Sequence, residues 1–364
     1  MAVAVGIGRF VYTPILPLMV EDLGMTKSAA GLLASANFAG YLAGALAAAL
    51  PGWPGSRRRW LIAALSVSAL TTAGMAVPSS NSAFMALRFA GGAASAVALV
   101  FSSALVLEQL SAAGRPRLAA LHFAGVGTGI AVDAVLAALL SERGWRTLWL
   151  AAGLVSLLAV VVVAATIPDR SAAAAASPAG GARGPLTSLV VAYGLFGFGY
   201  IITATFLVAI VRSAPQVRAI EPVVWLIVGL TAAPSVAVWT MIESRLGIAR
   251  GFALACTLEA IGVAASGLSI DRLGILLAAA LLGATFMGIT ALGLIWGRRL
   301  AQGDPRSILA MLTAAFGLGQ IIAPAFAGVV FDATGSFVLP SVLASAALLV
   351  AAVLALWRGA EGLV

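Results

Sequence analysis

Twelve apolar runs of about 20 residues follow one another along this chain, separated by short charged or turn-rich segments. A run of that length crosses a hydrocarbon core of about 30 Å as a helix. Lipid offers the backbone no hydrogen-bond partners, so a spanning run of this kind must satisfy its own backbone. The composition agrees, since 62% of the residues are hydrophobic and 9% are charged, against roughly 25% charged in soluble domains. The sequence therefore predicts an all-α membrane protein.

The runs form two groups of six predicted transmembrane helices. The first group covers 3–20, 28–50, 60–78, 83–107, 118–140 and 146–167, and the second covers 187–211, 222–242, 248–269, 274–296, 306–330 and 336–357. Between them lies DRSAAAAASPAGGARGP, residues 169–185, whose Ala, Gly, Ser and Pro are typical of a flexible linker. We therefore expect an N-terminal six-helix bundle at 1–168, a cytoplasmic linker at 169–185 and a C-terminal six-helix bundle at 186–364.

The basic residues predict the orientation. If the N-terminus lies inside, thirteen arginines fall on the inner side and six basic residues fall on the outer side. The inner set is Arg57, Arg58, Arg59, Arg115, Arg117, Arg170, Arg183, Arg245, Arg250, Arg298, Arg299, Arg306 and Arg358, and the outer set is Lys27, Arg143, Arg146, Arg212, Arg218 and Arg272. This excess follows the positive-inside rule, so both termini are predicted to be cytoplasmic. The first span lacks a basic n-region and a cleavage signal, which predicts a retained helix.

The first span, GIGRFVYTPILPLM at residues 6–19, places Arg9 about nine residues into the membrane. Arginine at this depth usually faces a cavity or a partner. Pro14 and Pro17 each remove a backbone donor and free a carbonyl one turn earlier. Two interpretations follow: Arg9 is a cationic contact in a central cavity, or it is a structural arginine bonded to helix-end carbonyls.

Short matches between the halves indicate duplication. GIGRFVYTPILP in span one matches GFGYIITATFLV in span seven, which places Tyr200 opposite Arg9. GVGTGIA in span five matches GLGQIIA in span eleven, which pairs Thr128 with Gln320. The alternative is that the glycines serve only close helix packing.

The chain resembles the major facilitator superfamily, and within it the YbfB/YjiJ-like branch of bacterial transporters. The resemblance covers essentially the whole chain. The segments that carry it are GIGRFVYTPILPLM (6–19), SANFAGYLAGAL (35–46), HFAGVGTGIA (122–131), YGLFGFGYIITATFL (193–207) and TAAFGLGQIIAPAFAG (313–328). The resemblance implies two six-helix bundles in the bacterial inner membrane, with spans 1, 4, 7 and 10 around a central cavity.

The family's gate motifs are partly kept. In span four, Arg88 followed by Gly92 and small residues resembles the family's arginine–glycine motif. The loop PGWPGSRRRW keeps the basic cluster but lacks the family's aspartate, whereas IESRLGIAR in the second half is the better match. The predicted gating residues are Arg57, Arg58, Arg59, Glu243, Arg245 and Arg250. Span five lacks the Gly-Pro pair of the antiporter motif.

Three embedded ionisable residues are candidates for proton coupling: Asp133, His122 and Glu259. Arg88 and Asp133 lie at depths that differ by about 4.5 Å at 1.5 Å per residue. The two side chains either form an ion pair, or Arg88 snorkels while Asp133 faces outer water. His122 titrates near neutrality, although a lone histidine is more often packed or interfacial. Glu259 is either neutral and hydrogen-bonded or a second titrating group.

The predicted substrate-binding residues share embedded positions and polar or aromatic character. They are Arg9, Tyr12, Asn37, Arg88, Tyr193, Tyr200, Trp296 and Gln320. The two arginines favour an organic anion. The rival is efflux of neutral or cationic amphiphiles, which Tyr12, Tyr200 and Trp296 would accommodate.

Other classes of function fit poorly. A membrane enzyme needs clustered acids, histidines or a nucleophile motif, yet the chain has one histidine and neither HExxH nor GxSxG. It also has no P-loop and no repeated filter of the kind found in channels. The scattered arginines argue against a nucleic-acid partner. We expect a monomeric, secondary active transporter, without metal or cofactor, that binds a small solute and is coupled to protons.

Overall fold

The computed structural model describes residues 1–50, 52–77, 79–115, 118–168, 186–269, 271–301 and 306–361, with side chains up to residue 357. The predicted linker at 169–185 lies outside these residues. In the first half the helices are α1 Ala2–Leu23, α2 Lys27–Ala49, α3 Arg57–Gly74, α4 Asn81–Ala112, α5 Ala119–Leu140 and α6 Trp145–Thr166. In the second half they are α7 Thr187–Ser213, α8 Glu221–Leu246, α9 Ile248–Leu268, α10 Arg272–Leu300, α11 Arg306–Thr334 and α12 Val338–Glu361. Short 3₁₀ turns, Ser141–Arg143 and Arg218–Ile220, precede α6 and α8.

The all-helical prediction is confirmed, and several helix bounds shift by three to five residues. Eleven of the twelve helices in the described residues are long and apolar enough to cross a membrane. The exception is α3, which starts with Arg57, Arg58 and Arg59 and ends at Gly74 rather than at 78. Helix α4 begins at Asn81 and continues to Ala112, beyond the predicted 83–107.

Side-chain caps determine where several helices begin. Thr26, Ser56, Ser80 and Asp271 each accept a hydrogen bond from the backbone N–H three residues later. Such caps satisfy backbone donors that have no partner within the helix. Helix α1 ends at Gly24, whose φ of 61° is the left-handed conformation that glycine adopts without strain.

Helix α1 is interrupted in the middle of the protein. It starts as a π-helical stretch, Ala2–Ile7, continues as Gly8–Phe10, and resumes as Tyr12–Leu23 after a break at Val11. Pro14 cannot donate to the carbonyl four residues earlier, which weakens the helix at this point. The interruption leaves backbone carbonyls beside Arg9.

Helices α1 and α7 occupy the centre of the bundle. In their most apolar stretches 89% and 78% of the residues are buried, against 33% in α5 and α6. The corresponding shares are 61% in α10 and 50% in α4. The resemblance implies a cavity lined by spans 1, 4, 7 and 10, and these burial values place α1 and α7 where such a cavity requires them.

The two halves meet along two helix pairs. Helix α2 packs against α11, where a Cβ on Gly31 would lie 2.1 Å from the Pro324 carbonyl oxygen. Helix α5 packs against α8, where a Cβ on Gly127 would lie 2.3 Å from the Ala233 nitrogen. Such short distances show backbones in direct contact, which small residues permit in lipid.

The halves repeat one packing contact, and it corrects a predicted correspondence. Gly6 of α1 lies against Gly129 of α5, and Gly197 of α7 lies against Gly319 of α11. Gly129 is therefore the counterpart of Gly319, so Gln320 corresponds to Ile130 and not to Thr128. Thr128 is exposed, whereas Gln320 is fully buried. The predicted pairing was wrong by two residues because glycines are too frequent here to define the register.

We expect Gly40→Ala to destabilise the first half. A Cβ at Gly40 would lie 1.9 Å from the Phe89 carbonyl oxygen, so α2 and α4 must separate. Overpacking of this kind typically costs about 1–3 kcal/mol. The measurement is thermal unfolding in detergent, followed by tryptophan fluorescence.

Gly74→Ala is the matched control, because its Cβ would meet only a Leu87 methyl group at an ordinary 3.5 Å. Equal melting temperatures for the two variants would contradict the close approach of α2 and α4.

Candidate functional site

The guanidinium of Arg9 lies in an aromatic cage near the centre of the protein. The side chain is buried, and its Cζ lies 4.6 Å from the ring centroids of both Phe38 and Tyr41 and 5.5 Å from that of Phe10. Nε and Nη2 have no hydrogen-bond partner among the described residues. Ring faces stabilise a desolvated cation by about 2 kcal/mol, but they do not accept its N–H groups. The cage therefore holds a cation with unused donors.

Arg88 performs the structural role that the sequence left open for Arg9. Its nitrogens donate to the carbonyls of Gly8 (3.5 Å) and Arg9 (3.3 Å), just before the break in α1, and its Cζ lies 4.8 Å from the Tyr12 ring centroid. The Tyr12 hydroxyl donates to the carbonyl of Ala30 at 2.8 Å. Arg88 and Tyr12 thus tie α1 to α4 and α2, close to the cage.

Asn37 connects α2 to the same region. Its Nδ2 donates to the Arg88 carbonyl at 2.9 Å, and its Oδ1 is buried without a partner in the described part of the chain. Asn37 thus has an unused acceptor, whereas Arg9 has unused donors.

The Arg88–Asp133 ion pair, one of the two predicted arrangements, is not formed. The Arg88 nitrogens that have partners bond to α1, and both Asp133 carboxylate oxygens are buried without a partner among the described residues. Asp133 does not face outer water either, since its side chain is 1% exposed. It lies one turn beyond Gly129 on α5, the residue that contacts Gly6 of α1.

Opposite Arg9, the second half presents a cluster of five stacked rings: Tyr193, Phe196, Tyr200, Phe286 and Phe316. Tyr200 lies nearly parallel to Phe286 (5.7 Å, 8°) and to Phe316 (5.9 Å, 6°). Phe196 stacks on Tyr200 at 5.0 Å, and Tyr193 stacks on Phe316 at 5.2 Å. Sequence reasoning found the two tyrosines but missed the three phenylalanines.

Polar groups border this ring cluster. Gln320 Nε2 donates to the Tyr200 hydroxyl, and Gln320 Oε1 is buried without a partner among the described residues. The Tyr193 hydroxyl donates to the carbonyl of Thr290 at 3.0 Å. Tyr200 therefore combines an apolar face with a hydroxyl hydrogen that Gln320 does not use.

The cage and the ring cluster adjoin each other across the two halves. The Tyr41 and Tyr200 hydroxyls are close enough to the Arg9 guanidinium to interact with its positive charge. Phe10 extends from α1 to Phe286 of α10, with ring centroids 5.7 Å apart. The structure thus brings together Arg9, Tyr200 and Gln320 from distant parts of the sequence.

The other predicted binding and coupling residues lie elsewhere. The Trp296 ring packs edge-on against Phe252 at 6.0 Å and is not part of the ring cluster. His122 is half-buried, with Nε2 3.3 Å from the Ser103 hydroxyl, and joins α5 to α4 near the predicted inner end. Glu259 is fully buried, and Thr285 contacts its carboxyl group.

The predicted gating residues lie at one end of the bundle, the predicted inner end. Arg57 pairs with Glu108, and Arg299 pairs with Glu243 at 2.6 Å. Arg58 donates to the carbonyls of Ala164 and Ile167. Arg59, Arg245 and Arg250 are exposed.

Some polar contacts across the two halves lie at the opposite end, and sequence reasoning missed them. Arg212 of α7 bonds to Glu21 of α1 at 2.8 Å and to Glu221 of α8 at 3.0 Å. The Asp332 carboxylate of α11 accepts from the backbone N–H groups of Lys27 (3.0 Å) and Ser28 (2.8 Å). These charged residues directly flank the predicted spans in the sequence, and that position is the signal that could have identified them.

Other polar contacts across the two halves lie within the bundle. Thr13 donates to the Ala204 carbonyl at 2.7 Å, and Ser35 donates to the Ile321 carbonyl at 2.6 Å.

Together, two packed halves and a buried polar site between them define a membrane transporter of the major facilitator fold. A family model described as the uncharacterised MFS-type transporter YbfB matches residues 1–356, so the chain belongs to this family. It is a multi-pass membrane protein of this transporter family.

Two curated relatives are also transporters. A probable transporter of Streptomyces coelicolor is 31% identical over 160 residues, 44% of this chain and 37% of that protein. The gallate transporter of Pseudomonas putida is 28% identical over 168 residues, 45% of this chain and 37% of that protein. The chain thus spans less than two fifths of the length of the curated relatives that it matches. A crystal structure of a variant of the nucleoside transporter NupG shares the fold, with a TM-score of 0.70 and 14% identity over 99% of both chains.

We expect Arg88→Met to destabilise the protein. The carbonyls of Gly8 and Arg9 would lose their donor, and an unsatisfied buried polar group costs about 1–3 kcal/mol. Thermal unfolding in detergent measures the change, and Arg88→Lys should recover part of it.

Arg272→Gln, at the exposed start of α10, is the control and should leave the melting temperature unchanged. If Arg88→Met unfolds like the parent, then Arg88 does not stabilise the break in α1.

Proposed function

We propose that the chain is a secondary active transporter of a small organic anion. It works by alternating access in the bacterial inner membrane, with protons as the coupling ion. The observation that carries this proposal is the buried Arg9 guanidinium, two of whose nitrogens have no partner among the residues that the structure describes.

An anionic group completes the hydrogen bonding of Arg9. Ionisable residues inside a membrane usually pair with another charge or line a substrate pathway. The described residues place three rings around Arg9 and no carboxylate in contact with it. A substrate carboxylate would accept from Nε and Nη2, and hydrogen bonds between ionised groups are about twice as strong as neutral ones.

The ring cluster would hold the rest of the substrate. Tyr200 and its stacked neighbours offer a planar apolar surface, and Asn37 Oδ1 and Gln320 Oε1 offer acceptors for hydroxyl or amide donors. These groups alone would also accept a neutral amphiphile, the rival substrate class. A cationic amphiphile is disfavoured because it would lie beside the Arg9 charge.

A relative's name supports the anion. The gallate transporter of Pseudomonas putida is similar to less than half of this chain, and gallate carries a carboxylate on a hydroxylated ring. That chemistry matches a cation beside stacked rings and free acceptors.

Alternating access is supported by where the halves touch. Two sets of polar contacts join the halves at the predicted outer end. Arg212 pairs with Glu21, and Asp332 accepts hydrogen bonds from Lys27 and Ser28. Separating these contacts would open the site toward that side, as rocking of two bundles about a midplane site requires.

We further propose that both termini are cytoplasmic and that one chain suffices, since a single chain supplies the whole site. A reporter enzyme that is active only outside the cytoplasm, fused after residue 364, should stay inactive.

Arg9→Gln should weaken the binding of organic anions at least tenfold. The variant removes the charge that would pair with the carboxylate but leaves the aromatic cage in place. Binding is measured by thermal shift of the purified protein against a panel of aromatic and aliphatic carboxylates, and transport is measured by uptake into proteoliposomes.

Arg272→Gln is again the control, because it changes the net charge equally but lies far from the site. If Arg9→Gln transports every anion as the parent does while neutral or cationic amphiphiles compete, then the rival substrate class is correct.

A disulfide across the predicted outer end should stop transport. Ser28 and Asp332 are in hydrogen-bond contact, so the pair Ser28→Cys and Asp332→Cys in a Cys256→Ser background should form a bond on oxidation. Because the bond keeps the halves together at this end, we expect uptake to cease and to return after reduction.

Each single cysteine variant, oxidised in the same way, is the control. Full uptake in the cross-linked double variant would exclude opening at this end of the bundle.

A further inference from the structure

Glu259 is a carboxyl group enclosed by the second half. It lies in the middle of α9 and is 0% exposed. Its Oε2 contacts the Thr285 hydroxyl of α10, and its Oε1 has no partner among the described residues. An ionised carboxylate in such a place would need a cation or several donors.

The hydrogen bonds of Thr285 show where the proton is. The Thr285 hydroxyl oxygen lies 2.6 Å from the Leu281 carbonyl oxygen and also contacts Glu259 Oε2. A hydroxyl group has one hydrogen, and a carbonyl oxygen has none. If Thr285 donates to Leu281, then the hydrogen between Thr285 and Glu259 must belong to Glu259. The arrangement therefore fits a protonated carboxylic acid.

Among the described residues, no basic side chain forms a hydrogen bond or ion pair with Glu259, and Arg212, the charged residue of α7, lies at the end of that helix. The Tyr200 hydroxyl of α7 is close enough to interact electrostatically with Glu259. Cys256 lies one turn before Glu259 on α9. The charged residues of α8, α10 and α12 all lie toward the helix ends, namely Glu221, Glu243, Arg245, Arg272, Arg298, Arg299, Arg358 and Glu361.

Phe286 of the ring cluster connects Glu259 to the anion site. Thr285, which contacts Glu259, directly precedes Phe286 on α10. The Phe286 ring stacks on Tyr200 at 5.7 Å and lies 5.7 Å from the ring of Phe10, the neighbour of Arg9. Arg88, which belongs to the first half, is the other cation that interacts electrostatically with Arg9. A negative charge on Glu259 would favour the Arg9 cation when the site is empty and would repel a bound anion.

We propose that Glu259 binds the coupled proton and holds it while an anion occupies Arg9. This inference rests on the proposed function and names the coupling residue of that same site. The physical reason is that two negative charges would otherwise share one buried cation. Coupling between two binding events is reciprocal, so the anion promotes protonation and the proton promotes anion binding. Anion and proton would then move in the same direction.

The other two predicted coupling residues lack this connection. His122 contacts Ser103 on the same half, away from the ring cluster. Asp133 is equally buried, but neither of its carboxyl oxygens has a partner in the described part of the chain, whereas Glu259 contacts Thr285, the neighbour of Phe286 in the ring cluster. Asp133→Asn is therefore the matched control for Glu259→Gln.

Infrared spectroscopy of the purified parent at neutral pH tests the proton directly. A band of a protonated carboxylic acid should be present, should disappear in Glu259→Gln, and should shift in Thr285→Val. If Glu259→Gln leaves the carboxylic-acid region unchanged, the inference is overturned. Thr285→Val keeps the carboxyl group in place and decides the question if Glu259→Gln does not fold.

Binding as a function of pH tests the coupling. In the parent, the affinity for a carboxylate identified by the thermal-shift panel should fall about tenfold from pH 5.5 to pH 8, within the usual range of coupling. Glu259→Gln should bind the anion with little dependence on pH and should lose accumulation driven by a proton gradient, while Asp133→Asn should behave as the parent does.

Two results would overturn the coupling: an unchanged pH dependence in Glu259→Gln, or its loss in Asp133→Asn alone. Absence of anion binding by the parent at every pH would instead refute the proposed function, and the infrared result would still decide whether Glu259 carries a proton.

Discussion

A cation in the middle of a membrane protein is the constraint around which the central structure is arranged. Moving an arginine to the bilayer centre costs about 2.5–3.5 kcal/mol on insertion scales. Arg9 is stabilised by ring faces of Phe10, Phe38 and Tyr41 rather than by a carboxylate. Rings offset the loss of hydration but leave N–H donors unused. The Arg9 cage therefore keeps two donor nitrogens that no described residue uses.

Close helix packing makes this arrangement possible. Gly92 of α4 fits against the Asn37 carbonyl, where a Cβ would lie only 1.9 Å away. This approach brings Arg88 to the interrupted α1 and holds Phe38 beside Arg9. The same principle operates between the halves at Gly31 and Pro324. Small residues thus determine how near the cage lies to the ring cluster.

The repeated fold carries unequal chemistry. Gly6 and Gly197 make equivalent contacts, yet the first half offers Arg9 where the second offers Tyr200. Gln320 likewise has the apolar Ile130 as its counterpart. The repeated scaffold therefore has one cationic and one phenolic side. Under the proposed function, this inequality would orient a substrate with one negative end.

The sequence by itself determined the helices, because span length and hydropathy are local properties. It determined the family as well, because five ordered segments carry the resemblance. It also identified Tyr200 and Gln320 as embedded polar residues. Only the tertiary structure decided their partners. Whether Arg88 bonds to Asp133 or to the α1 carbonyls depends on how α4 is rotated about its axis. Hydropathy does not specify this rotation when both faces of a helix are apolar. The repeat register likewise required backbone contacts, since glycines two residues apart look alike in sequence.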